Sequence, residues 1–390
     1  MLVFYGLGII VGAGVYVVIG DVIREAGTLA VCSFALAGAV AGLIALSYAE
    51  LGARHPEAAG AAAYVKEAFG SDRLSQLTGF AVAVVVLISA ATIARGTAGY
   101  AHTFVPLPEA LIGSLVVLVF TAVSCLGVKN SVRTAAVMTV IELGGLMVVV
   151  SAGWATVRDV PGPALAFVPN GLEAWTRVSA GAFLAFFAFI GFENLANMAE
   201  EAKNASRTIP WAILLSLGMS TVIYMAVAFV VLGAVPLEEA AASKAPLLSV
   251  IELRGWSISN AFAALALVAV ANGVLIQILM LSRLFYGMAR RSLLPSGLAV
   301  LSQRQVPVRA TLLAGVLVLA STVALPFDAL LRLSTTLTLL VFALVSLSLW
   351  RLQQSAPRRD LAFHVPRWVP IAAALGSLAL IAAQVGLEAN

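Results

Sequence analysis

The sequence predicts an all-α membrane protein of about eleven transmembrane helices, built as an inverted five-plus-five helix repeat with one additional C-terminal helix. Three observations predict it. Of 390 residues, 61% are hydrophobic and 11% are charged, against about 45–50% and about 25% in a soluble domain. Eleven apolar stretches reach the roughly 20 residues needed to cross about 30 Å of hydrocarbon. Two of these stretches, the first and the sixth, are interrupted by residues that a lipid-facing helix avoids. The mean hydropathy of +1.02 excludes a soluble enzyme, a nucleic-acid binder and a disordered regulator.

In chain order the stretches cover residues 2–22, 27–52, 76–99, 108–127, 134–157, 177–198, 209–235, 258–282, 308–326, 328–350 and 368–387. The runs are continuous, so they read as helices; barrel strands would alternate in segments of about ten residues. The first starts at Met1 without a basic leader, which argues against a cleaved signal peptide. The expected organisation is a first repeat over 1–157, an outer loop over 158–175, a second repeat over 176–350, and an inner loop with the eleventh helix over 351–390.

The net charge of +4 is explained by the loops. With the N-terminus inside, inner loops hold sixteen Lys and Arg and outer loops hold five. That bias follows the positive-inside rule. It predicts a multi-pass protein of a plasma membrane, of the bacterial or archaeal inner-membrane kind, with a cytoplasmic N-terminus and lipid as its surroundings. Cys32 and Cys125 sit in apolar stretches two spans apart and read as free thiols. His55, His102 and His364 are scattered, so no metal site is expected, and no cofactor either.

The first span carries Gly6, Gly8, Gly12 and Gly14 within nine residues. Each glycine costs a helix about 1 kcal/mol against alanine. Close packing through small residues is one explanation. The sixth span carries Gly191 and Glu193 inside an apolar run. Interruptions at matching places in two halves point to a substrate site. A broken helix bares N–H groups at one end and carbonyls at the other, which hydrocarbon cannot satisfy. A zwitterionic amino acid satisfies both sets. Gly12, Ala13 and Gly14 are therefore expected to hold a carboxylate through N–H groups, and the carbonyls of Ile10, Val11, Phe189 and Ile190 an ammonium.

Four ordered motifs carry a family resemblance. Residues 8–16 (GIIVGAGVY), 48–56 (YAELGARHP), 186–210 (with EEAKN and RTIP) and 271–290 (with ANG and SRLFYGMAR) resemble signatures of the amino acid–polyamine–organocation (APC) superfamily, over roughly residues 4–350. The resemblance implies the LeuT-like APC fold, a central site at the two breaks, and alternating access for amino acids or related amines. By the family pattern Phe187 is the gate, with Phe192 also flanking the break. Asn272 is expected to face the cavity, and Gln277 to bridge helices. Three departures stand out: little precedes the first span, a twelfth span is absent, and Glu142 stands where some proton-coupled members carry a lysine.

A carboxylate at membrane depth is expensive unless paired or protonated. Glu142 and Glu193 are thus the proton-coupling candidates, with a protonated hydrogen-bonding role for Glu142 and a capping role for Glu193 as the structural alternatives. Sodium coupling in this fold typically needs hydroxyls on the eighth span, and residues 261–281 hold no Ser or Thr. Ser89 and Thr92 are candidates for a side-chain pocket. Arg95 and Arg332 read as snorkelling cations. The reading is amino acid transport, by proton symport, and not an enzyme. The alternatives are exchange of an amino acid against an amine, and a non-transporting sensor or channel on the same fold.

Overall fold

The computed structural model describes residues 2–54, 60–126, 132–157, 168–195, 204–253, 255, 257–355 and 363–388. His55, Lys129, Arg158, Lys203, Arg254, Arg358 and Arg359 lie outside them, as do residues 158–167 of the expected outer loop and 196–203 of the sixth span and its motif. The described residues form helices and connections, without a strand among them.

The first span is two helices, α1 (Leu2–Val11) and α2 (Ala13–Ala26), that meet at Gly12. A 3₁₀ turn over Gly27–Leu29 leads into α3 (Ala30–Arg54). A short helix, α4 (Ala61–Phe69), precedes α5 (Asp72–Ala101). Ser71 starts α5, its Oγ accepting from the Leu74 N–H at 3.2 Å, which satisfies one of the orphan donors of a helix N-terminus. Helices α6 (Glu109–Cys125) and α7 (Val132–Val157) complete five spans. The sixth begins as α8 (Gly171–Ala185) and tightens into a 3₁₀ turn over Phe186–Phe189.

The remaining elements are α9 (Ala205–Ala234), two short helices α10 (Leu237–Ala242) and α11 (Pro246–Leu253), then α12 (Ser259–Arg290), α13 (Val308–Ala324), α14 (Phe327–Ser355) and α15 (Trp368–Glu388). Length and composition alone single out eight membrane-crossing segments, because α2 and α3 run on as one helical stretch of 42 residues and α1, α6 and α13 are shorter. Helices α6 and α13 have 17 residues each, the lower limit of about 17 for a span. With α1 and α2 completing each other across Gly12, eleven apolar segments stand where the sequence puts them.

The packing brings together four of the five pairs of spans that lie five places apart. The first lies on the sixth (α2 on α8), the second on the seventh (α3 on α9), the third on the eighth (α5 on α12) and the fourth on the ninth (α6 on α13). That adjacency is what a two-fold arrangement of two five-helix units gives to helices near its axis. Lipid tails are as apolar as leucine, so close van der Waals fit has to hold such pairs. Gly14 shows how close: a Cβ there would stand 2.6 Å from the Ala188 Cα. Helix α15 packs on α14, α3 and α8. Its connection is anchored by Glu50, whose Oε2 accepts from the Val365 N–H at 2.7 Å and from Gln353 Nε2 at 2.9 Å. Arg54 Nη2 lies 2.6 Å from the other Glu50 oxygen. A buried carboxylate is tolerable only with partners of this kind.

Candidate functional site

The first break is made by Gly12, with φ −43° and ψ −137°, and no side chain caps the helix that follows. The last turn of α1 therefore presents carbonyls, and the first turn of α2 presents N–H groups, to the same place. The second break follows the 3₁₀ turn. Ile190 is extended (φ −60°, ψ 132°), and Gly191 has φ +128°, a conformation that L side chains rarely adopt. A Cβ on Gly191 would stand 2.7 Å from Ile9 Cγ2 and 3.0 Å from the Ile9 carbonyl oxygen. Only glycine lets the sixth span lie this close on the first.

Glu193 closes the second break locally. Its Oε2 accepts the Gly191 N–H at 2.9 Å. Tyr224, from the seventh span, reaches carbonyls beside both breaks. The Tyr224 hydroxyl is 2.6 Å from the Ile10 carbonyl oxygen and 2.9 Å from that of Ala188. Its single proton serves one acceptor at a time. Tyr16 donates to the backbone carbonyl of Glu142 at 2.8 Å, and Tyr100 to that of Tyr16 at 3.0 Å.

A cavity of about 210 Å³ opens at the two breaks. Ile10, Gly12, Ala13 and Gly14 line it from the first, Phe187 and Ile190 from the second, and Glu142 and Glu193 supply its carboxyl groups. Glu142 faces the first break, its Oε1 standing 4.0 Å from where a Cβ on Gly12 would lie. Asn272 stands beside the Glu142 side chain and is not among the residues that line the cavity. Val11, Phe189 and Phe192 are buried beside it. Phe189 packs on the Tyr224 ring at 5.1 Å between centroids, and Phe192 on Phe342 at 5.3 Å. Gln277 and Ser89 line the cavity, and Thr92 donates to the Ile88 carbonyl within α5.

From the breaks the cavity runs along α5, α12 and α14 to Gly60, Ala61 and Tyr64 beside α4. At the opposite end of α5 a second cavity of about 260 Å³ lies among α2, α5, α6 and α14. Its charges are largely paired. Arg24 meets Asp21, and Asp328 at 3.4 Å; Lys244 meets Glu109; Arg332 stands 4.0 Å from Glu25. Arg95, expected to snorkel, instead donates to the Thr322 carbonyl at 2.7 Å. It thereby caps the last turn of α13, where a cation opposes the helix dipole favourably.

The residues that sequence reasoning passed over are mostly tyrosines. Tyr48 and Tyr64 line the cavity, Tyr224 bonds a carbonyl of the first break, and Tyr16 ties α2 to α7. A signal for them exists: a tyrosine deep in a span, away from the interfacial belt, carries a hydroxyl that has to find a partner.

Residues 2–388 match the protein family described as amino acid permease. The chain is 35% identical to cationic amino acid transporter 9, chloroplastic, of Arabidopsis thaliana, over 76% of this chain and 55% of that one. It is 27% identical to the branched-chain amino acid permease BcaP of Lactococcus lactis subsp. cremoris, over 98% and 87%. It is 26% identical to the methylthioribose transporter of Bacillus subtilis, over 95% and 83%. The chain spans 55–63% of the length of the plant relatives.

Proposed function

The chain belongs to the amino acid permease family, and from that premise we propose that it is a secondary transporter that carries amino acids, unchanged, across a plasma membrane by alternating access with proton symport. The cavity at the two helix breaks carries this reading. It offers the N–H groups of Ala13 and Gly14 to a carboxylate, with the positive end of the α2 dipole behind them. It offers the carbonyls of the α1 end and of Ile190 to an ammonium. Gly12, Val11, Phe189, Phe192 and Asn272 act in support, by shaping the break or holding those that touch substrate. Phe187 is the gate.

Two five-helix units, 1–157 and 176–350, with 158–175 between them and 351–390 after them, are the moving parts in this reading. The pairing of spans five places apart supports that division. With the orientation that the loop charges predict, α4 lies on the cytoplasmic side, so the cavity opens inward. The ion pairs between α2 and α14 close the outer side. Glu142 faces the first break and is the coupling residue; Glu193, bonded to the Gly191 N–H, has the capping role first. The names of the relatives share amino acids as the commonest substrate, which supports the substrate class.

The test is uptake into proteoliposomes of a panel of all twenty L-amino acids, with and without an inward proton gradient. Saturable uptake that the gradient drives is expected. No uptake of any of them removes the reading, and counterflow without net uptake replaces symport by exchange.

A further inference from the structure

The cavity is not uniform along its length. Ile93 stands at the level of the break: a Cβ on Gly273 would lie 2.9 Å from the Ala13 Cβ and 3.4 Å from Ile93 Cγ2. Leu284 also lines the cavity, eleven residues further along α12, which is about 16 Å of helix. Between these levels the α5 wall is Val82, Val85, Val86, Ser89 and Ile93, on one helix face, and the α12 wall includes Ile276, Gln277 and Met280.

Polar groups in this stretch are mostly committed. Ser89 is bonded to Ser334 at 2.6 Å, and Thr338 donates to the Ser334 carbonyl at 2.7 Å. The other neutral polar side chains of the lining are Gln277, Asn194, Tyr48 and Tyr64. The two acids of the cavity both lie at the break end, Glu142 opposite Gly12 and Glu193 on the Gly191 N–H. Among the described lining residues no Asp, Glu, Lys or Arg stands further along.

We propose that this shaft receives the substrate's side chain, and that the protein selects large uncharged aliphatic L-amino acids such as leucine, isoleucine and valine over cationic ones. This rests on the reading of the cavity as an amino acid site. With the ammonium and carboxylate held at the breaks and the inward end shut around the substrate, a lysine or arginine side chain would lose its water against Val86 and Met280 and meet no counter-charge. An aliphatic side chain exchanges water for dispersion contacts along the same wall. Ile93 and Val86 are the specificity-determining residues, Ile93 at the branch point of the side chain and Val86 about two turns deeper.

The experiment is equilibrium binding of labelled leucine, and in parallel of labelled arginine, to the purified full chain, with unlabelled amino acids as competitors. Leucine, isoleucine and valine are expected to displace leucine at concentrations about 100-fold below lysine or arginine. Ile93→Ala is expected to weaken leucine about tenfold. Val86→Asp, which puts a carboxylate in the shaft, is expected to improve lysine competition about tenfold; if that variant does not fold, Ile93→Ala carries the test. Arginine or lysine matching leucine on the native chain overturns the inference and leaves the transporter reading standing. An unchanged leucine affinity in Ile93→Ala overturns the placement of the side chain. Failure of all twenty amino acids to bind overturns both readings.

Discussion

The Tyr224 hydroxyl stands 2.6 Å from the Ile10 carbonyl oxygen, so the seventh span donates a hydrogen bond into the last turn before the first break. The same hydroxyl is 2.9 Å from the Ala188 carbonyl and thereby ties the two breaks to one another. Tyr224→Phe keeps the ring stack on Phe189 and removes only the donor. An unsatisfied buried acceptor costs about 1–3 kcal/mol. A lower thermal midpoint of the detergent-purified protein is expected; an unchanged midpoint would show that the bond contributes nothing.

Glu142→Gln keeps the shape but cannot exchange a proton. Where a carboxyl has to be protonated on the outside for the cycle to proceed, net uptake falls as the outside pH rises. In the variant that slope is expected to flatten, while substrate binding stays measurable. A pH profile identical to that of the native chain removes Glu142 from coupling.

Gly191→Ala places a methyl group against Ile9 at a backbone angle of φ +128°. Strain of this kind costs about 1–3 kcal/mol, and the Ile9 backbone cannot yield without moving the first break. Uptake is expected to drop to background. Gly144→Ala is the control, since a Cβ there meets nothing within 4 Å, and it should transport normally. Equal activity of the two variants would refute the close approach.

Helices α2 and α14 exchange charges reciprocally: Arg24 reaches Asp328 and Arg332 reaches Glu25. These pairs are partly exposed, so each is worth only about 0.2–1 kcal/mol. That is enough to shift a conformational equilibrium a few-fold. Neutralising Asp328 and Arg332 together is expected to raise labelling of a cysteine placed at Ala98, which lines the second cavity, in a background without Cys32 and Cys125. The swap Glu25→Arg with Arg332→Glu should bring labelling back down. Labelling that ignores both changes means these pairs do not hold that side closed.

Glu50→Ala removes the carboxylate that the 4%-exposed Arg54 side chain and the Val365 N–H bond. Breaking a buried pair from one side costs about 3–5 kcal/mol. The thermal midpoint is expected to fall steeply, and less so in Glu50→Gln, which retains an acceptor. Equal loss in both variants would assign the effect to charge alone.

The spans were legible because hydrocarbon permits few ways to hide a backbone. Residues 134–157 could be read as a helix from composition alone, and α7 covers them. The breaks were legible for the same reason inverted: Gly12 and Gly191 are conspicuous where a helix should be continuous. Other features had no local signal. Asn272 looks like a cavity residue from its place on the eighth span, yet it stands behind the lining, beside Glu142. Arg95 looks like a snorkelling cation, yet it caps α13.

Hydropathy and glycine placement thus determined on their own that the chain crosses a membrane about eleven times and where its first and sixth helices part, since both follow from the cost of a bare peptide group in lipid. Which polar groups meet was decided only by tertiary structure. Tyr224 and Ile10 are 214 positions apart, and Glu50 and Val365 are 315 apart. A hydrogen bond depends on ångström distances between helices that packing alone sets, and no pattern within either segment encodes the other's position.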